Sequence, residues 1–225
     1  MASETDSRRR EPALARRRGT PLRRMLAGGT AGNEQLTAAT GVVLILLLAA
    51  LGVTIVRIGQ LLAAHMFIGM LLIGPVALKV ASTGYRFARY YAGSPRYRAK
   101  GPPHLALRSL APLVVLSTVA VFATGVALLV LGPGSRGSLP LLHKVSFIVW
   151  VAVTAVHVLG HLAELPRALT ADRQRARPWD DLGSGRGARA LLLASSLVGG
   201  LVLALAVEGG FGAWTTFHQL HHHFH

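Results

Sequence analysis

The sequence predicts an all-α integral membrane protein with five transmembrane helices, a four-helix bundle core and one extra C-terminal span. Three observations predict it. Apolar residues make up 52% of the 225-residue chain and gather into runs near the roughly 20 residues a helix needs to cross hydrocarbon. Charged residues are only 15% of the chain and fall almost wholly before or between those runs. Basic charge also alternates from one connection to the next, as the positive-inside rule requires. The formal net charge of +15 therefore reflects membrane orientation and not a nucleic-acid groove. Membrane lipid is an expected partner, and nucleic acid is not.

Residues 1–35 hold eight arginines (Arg8 to Arg10, Arg16 to Arg18, Arg23 and Arg24) among Gly, Pro and Ala. They read as a basic, disordered cytoplasmic arm lying on the anionic inner leaflet. This is no cleavable signal peptide, because the first apolar run is long enough to stay as a span. The membrane domain, 36–207, then contains spans at 36–56, 61–83, 105–131, 139–165 and 188–207. Only the tight turn from Arg57 to Gln60 separates the first two.

Orientation follows from the connections. The second, 84–104, has Arg86, Arg89, Arg96, Arg98 and Lys100 and no acid. The fourth, 166–189, has six arginines against Asp172, Asp180 and Asp181. The first and third offer only Arg57, Arg136 and the nearby Lys144. The N-terminus is therefore expected inside and the C-terminus outside. Trp179 sits in a solvated cytoplasmic loop, and residues 208–225 form a His-rich extracytoplasmic tail with Trp214 as an interfacial anchor.

The absence of cysteine excludes disulfides, thiolate zinc sites, iron–sulfur ligation and covalent haem attachment. Metal chemistry must run through histidine. His65 opens the second span and His143 the fourth, and both spans run from outside to inside. Two imidazoles at matched depth in hydrocarbon read as a functional pair, and axial ligation of a haem iron is the chemistry that most often needs them facing each other. Gly69, one turn after His65, and Ser146 after His143 would let a flat macrocycle approach the backbone. His143 and His157 are fourteen residues apart, which leaves them about 40° apart on the helix with a rise of about 21 Å. His161 lies one further turn along that face. A lone histidine at a span end is ordinarily an interfacial residue, and that bland reading is the one taken for His104.

The H-x13-H spacing on one helix and the matched His65 and His143 resemble the di-haem four-helix core of cytochrome b561 and ferric-reductase-type membrane cytochromes, over residues 36–165. The resemblance implies a multi-pass subunit of the bacterial cell membrane with haem b held near its outer face by His65 and His143. It implies transfer of electrons between the quinone pool and an extracytoplasmic oxidoreductase partner. The sequence departs from the family at Lys79, fourteen residues after His65, where a fourth histidine would stand. The resemblance thus implies one haem. A second, inner site would have to draw on His157, His161 and Lys79. Two readings of Lys79 stand open: a side chain snorkelling to the inner interface, or a cation beside a haem propionate or quinone oxygen.

The tail residues His218, His221, His222, His223 and His225 are candidate ligands for Zn, Cu or Ni through neutral imidazole, with an accidental polar tail as the alternative. No nucleotide-binding signature occurs, so an electron-transfer protein of this kind takes its donor and acceptor from elsewhere. The competing reading is a scaffold or assembly subunit, or a small metal or proton transporter, without haem.

Overall fold

All five apolar runs are helices, and no strand occurs among the described residues. The computed structural model describes residues 29–93, 105–162 and 186–222, with side chains over 33–93, 110–160 and 187–219. In chain order the helices are α1 (Gly29–Val56), α2 (Ile58–Tyr91), α3 (Leu105–Leu131), α4 (Leu139–Leu162), α5 (Arg186–Val207) and α6 (Phe211–His222). Short 3-10 turns at Pro133–Ser135 and Glu208–Gly210 precede α4 and α6. Helices α1 to α4 are each long and apolar enough to cross a membrane, and the fifth candidate span, Gly187–Gln219, takes in α5 and most of α6. The chain is an all-α multi-pass membrane protein.

Several boundaries differ from the sequence expectation, each for a local reason. Helix α1 begins at Gly29, so 29–35 are helical and not part of an arm. Asn33 Nδ2 donates to the Ser82 carbonyl of α2 at 3.1 Å, which ties this first part of α1 to its neighbour. Helix α2 runs on to Tyr91, making 34 residues, or about 51 Å against a hydrocarbon thickness of about 30 Å. Its last turns are aromatic and cationic, with the Phe87 and Tyr91 rings 4.6 Å apart, a composition suited to the headgroup layer. The turn after α1 shrinks to Arg57, and α2 departs from helical geometry at Leu61 (φ −114°, ψ 23°). Helix α5 opens at Arg186 and α4 is described as far as Leu162. The C-terminal segment, expected as a tail, forms α6.

Helices α1 and α2 pack as one antiparallel hairpin and α3 and α4 as another, while α5 lies along α2. The two hairpins touch only lightly, through α2 and α3. Polar bonds clasp each hairpin. Near the N-terminal end of α1, Thr37 meets the Ser82 hydroxyl at 3.2 Å and Lys79 Nζ donates to the Thr37 carbonyl at 2.7 Å. In the second hairpin Trp150 Nε1 donates to the Thr118 hydroxyl at 2.9 Å. Without water, such groups have to be satisfied inside the protein.

The α2–α5 seam is built differently, from small residues and a proline. Pro75 is fully buried inside α2 and has no N–H, so the Leu71 carbonyl loses its helical donor. Gly200 of α5 lies against that carbonyl, and Gly74 of α2 lies against the Ser196 carbonyl. Side chains at either glycine would collide with backbone. Ser196, Gly200 and the fully buried Ala204 form a small-residue row that allows this approach. Replacing Gly200 with Ala should therefore destabilise the protein by about 1–3 kcal/mol. Thermal unfolding in detergent should show a lower Tm for Gly200→Ala and an unchanged one for Gly199→Ala, whose Cβ would meet nothing within 4 Å. Equal Tm values for the two variants would contradict the seam.

Candidate cofactor site between the hairpins

The light contact between the hairpins leaves a cavity of about 1340 Å³ walled by α1, α2, α3 and α4. Ordinary ligand pockets occupy about 300–1,000 Å³, so this one has room for a large molecule. Its walls are mostly apolar, with His65, Lys79, His143, Lys144 and His157 among its polar lining. The structure brings His65 and His143 to one cavity from different hairpins.

Each of these imidazoles has a threonine hydroxyl beside Nδ1. His65 Nδ1 lies 3.0 Å from the hydroxyl of Thr54, a buried residue on α1. That hydroxyl has one hydrogen, and it is directed to the Leu51 carbonyl at 2.6 Å. Toward the ring the oxygen can only accept, so Nδ1 carries the ring hydrogen and Nε2 keeps a lone pair. His143 Nδ1 lies 3.0 Å from the Thr124 hydroxyl of α3. Thr124 has the Ala120 and Val121 carbonyls at 2.9 and 3.0 Å for its own hydrogen. Ser146, whose hydroxyl donates to the His143 carbonyl at 2.9 Å, closes the group at 3.2 Å from Thr124. Both rings are thus fixed at Nδ1 with Nε2 available, the tautomer a metal-ligating imidazole needs.

Two glycines make room. A Cβ on Gly125 of α3 would meet His143 Cε1 at 3.2 Å, so the ring takes up space that a side chain there would need. Gly69, one turn after His65, lines the cavity and has open space where its Cβ would be. A pair of Nε2 donors, an apolar wall and backbone exposed at Gly69 fit a haem.

The other candidates divide. His157 and Lys79 line the same cavity, fourteen residues along from His143 and His65. Lys79 does not extend toward His157. Its ammonium crosses to α1, where Gly41 clears a path (a Cβ there would lie 3.3 Å from Nζ) and the Thr37 carbonyl accepts from it. That bond gives the lysine an interhelical role. His161 lies on α4 with its side chain outside the described residues, as are the side chains of His221 and His222; His223 and His225 lie outside them altogether. His218 Nε2 packs at the α1–α2 turn, 3.6 Å from where a Gly59 Cβ would be. No group of three or more His, Cys, Asp or Glu that could hold a metal ion occurs among the described residues.

Sequence reasoning missed Thr54, Thr124, Gly125 and Trp214. Trp214 was expected as an interfacial anchor but lines the cavity, carried there by α6. The available signal was that Thr54 and His65, like Thr124 and His143, lie on opposite sides of a hairpin turn and within two helical turns of the helix ends, so antiparallel packing can bring them together.

The threonine bonds make a direct prediction. With haem expected between His65 and His143, isosteric Thr54→Val and Thr124→Val should each weaken its binding about tenfold to hundredfold, as loss of a ligand's outer partner typically does. Titration of haem into the purified proteins checks this, with Thr54→Ser and Thr124→Ser expected to retain binding. Unchanged affinity in both valine variants would count against the role assigned to the hydroxyls.

Comparison with known protein families, curated proteins and solved structures returned no match.

Proposed function

We propose that this protein is a membrane b-type cytochrome subunit. It holds one haem b between α2 and α4 through His65 and His143, as the resemblance to the cytochrome b561 and ferric-reductase type implies. The observation that carries this reading is the repeated unit of an imidazole with Nδ1 on a threonine hydroxyl and Nε2 left for iron, present on both sides of one apolar cavity. When bound, haem supplies a reversible one-electron couple whose potential depends on axial ligands, burial and hydrogen bonding.

The chain's own part is to hold and shield. Thr54 and Thr124 orient the rings, Gly125 seats one of them, and the apolar walls keep water from the centre. The reading assigns the protein to a bacterial cell membrane with the C-terminus outside, from the charge of its connections. Electrons pass between the quinone pool and an extracytoplasmic oxidoreductase. One haem is proposed and not two, because the Lys79 ammonium is engaged by the Thr37 carbonyl where a second inner ligand would stand.

The test is the visible spectrum of the purified protein. Low-spin b-type Soret and alpha bands should appear in the native chain and be lost from His65→Ala and His143→Ala. Colourless protein after expression with ample haem would contradict the proposal and return the chain to the scaffold or transporter reading.

A further inference from the structure

Helix α6 closes over one end of the cavity. It starts where the Glu208–Gly210 turn ends α5, and it touches α2 and the turn before α4. Phe211 is buried at its start, and Gly210 approaches the Leu129 side chain of α3. Farther along, the Arg136 guanidinium lies 4.0 Å over the Phe217 ring, and His218 meets the α1–α2 turn at Gly59. The helix is thereby held against both hairpin turns, at the end where His65 and His143 stand.

Two groups at this end have chemistry that the protein leaves unused. Trp214 of α6 lines the cavity, and its Nε1–H is buried without a hydrogen-bond acceptor. An indole N–H is a donor only, and leaving one buried and unmatched is costly. Lys144, next to His143 in the chain, also lines the cavity and is exposed at its rim. Lys144 makes no ion pair among the described residues, where the only acidic side chains are Glu34 and Glu208. A donor and a cation at one end of an apolar cavity call for a ligand with an apolar body and an anionic oxygen at its edge.

We infer that Lys144 and Trp214 form a carboxylate site at the α6 end of the cavity, which takes the propionate groups of the haem and sets which way its edge faces. The inference rests on the haem reading above. Lys144 supplies the charge, and Trp214 supplies a hydrogen bond once a carboxylate oxygen is there to accept it. The ligand selected is a tetrapyrrole with free carboxylates, and one with those groups esterified is disfavoured. The site also gives α6 a purpose beyond capping, since it brings Trp214 to the cavity.

The experiment titrates detergent-purified, haem-depleted full chain with haem and with haem dimethyl ester, following the Soret band. The native protein should prefer haem over the ester by about tenfold to hundredfold, the range expected for hydrogen bonds to a charged group. Lys144→Gln and Trp214→Phe should each lose most of that preference while binding the ester as the native chain does, and Lys144→Arg should keep it. The midpoint potential should also shift in Lys144→Gln, a readout that looser packing of α6 alone would not move in the Lys144→Gln and Lys144→Arg pair differently. Equal affinity of the native chain for haem and ester, or a preference that survives in both variants, would overturn the carboxylate site and leave the haem reading standing. Failure of haem and of its ester alike to bind would overturn the haem reading, and this inference with it.

Discussion

The bond between a threonine hydroxyl and an imidazole Nδ1 is the interaction on which the site depends. In a water-free interior a ring nitrogen has to find a partner within the protein, and the partner decides which tautomer is present. Thr54 and Thr124 both have a carbonyl for their own hydrogen, so both present an oxygen that accepts. That arrangement turns each histidine into a directed Nε2 donor. It also joins α1 to α2 and α3 to α4, so the same contact that orients a ligand clasps the hairpin carrying it. Site and scaffold are coupled at the level of one hydrogen bond per hairpin.

The packing follows a division of labour. Within hairpins the helices are joined by polar bonds, and α5 is joined to α2 by backbone approach at Gly74 and Gly200. Between the hairpins there is little direct contact, and the space holds the two imidazoles. Close packing normally brings helix axes to about 8–10 Å, and neighbours set farther apart than that enclose a binding cavity instead of a core. Helix α5 buttresses α2 from the far side, and α6 bridges the hairpin turns at the end nearest the histidines. Large exposed side chains of α1, α3 and α4 that lie outside the cavity, such as Val42, Val119 and Ile148, are those expected to face lipid.

Much of the fold was legible in the residue order, because run length and hydropathy answer to a single physical demand, the thickness of hydrocarbon. The five spans needed nothing more. Helix ends were less legible. Tyr85 to Tyr91 looked like loop because Arg86 and Arg89 belong to the basic charge of the second connection, yet aromatic and cationic residues can continue a helix into the headgroup layer. Helix α6 was missed because a twelve-residue segment with one Gly, two Thr and three His has no strong local preference; its contacts are with both turns. Lys79 was legible as a departure from the ligand pattern, but its destination was not. No local rule says that Gly41 leaves a gap on α1 through which the ammonium reaches the Thr37 carbonyl. Thr54 and Thr124 are pairings across a turn, which depend on register and not on sequence neighbours.

The central claim is that two specific imidazole nitrogens, one from each hairpin, face the same iron. Pulsed electron paramagnetic resonance of the oxidised protein carrying isotopically labelled histidine reads those nitrogens directly. The account predicts hyperfine coupling from two imidazoles in the native chain, with one coupling lost in His65→Gly and the other in His143→Gly. Coupling to a single imidazole, or two couplings that persist in either variant, would contradict it.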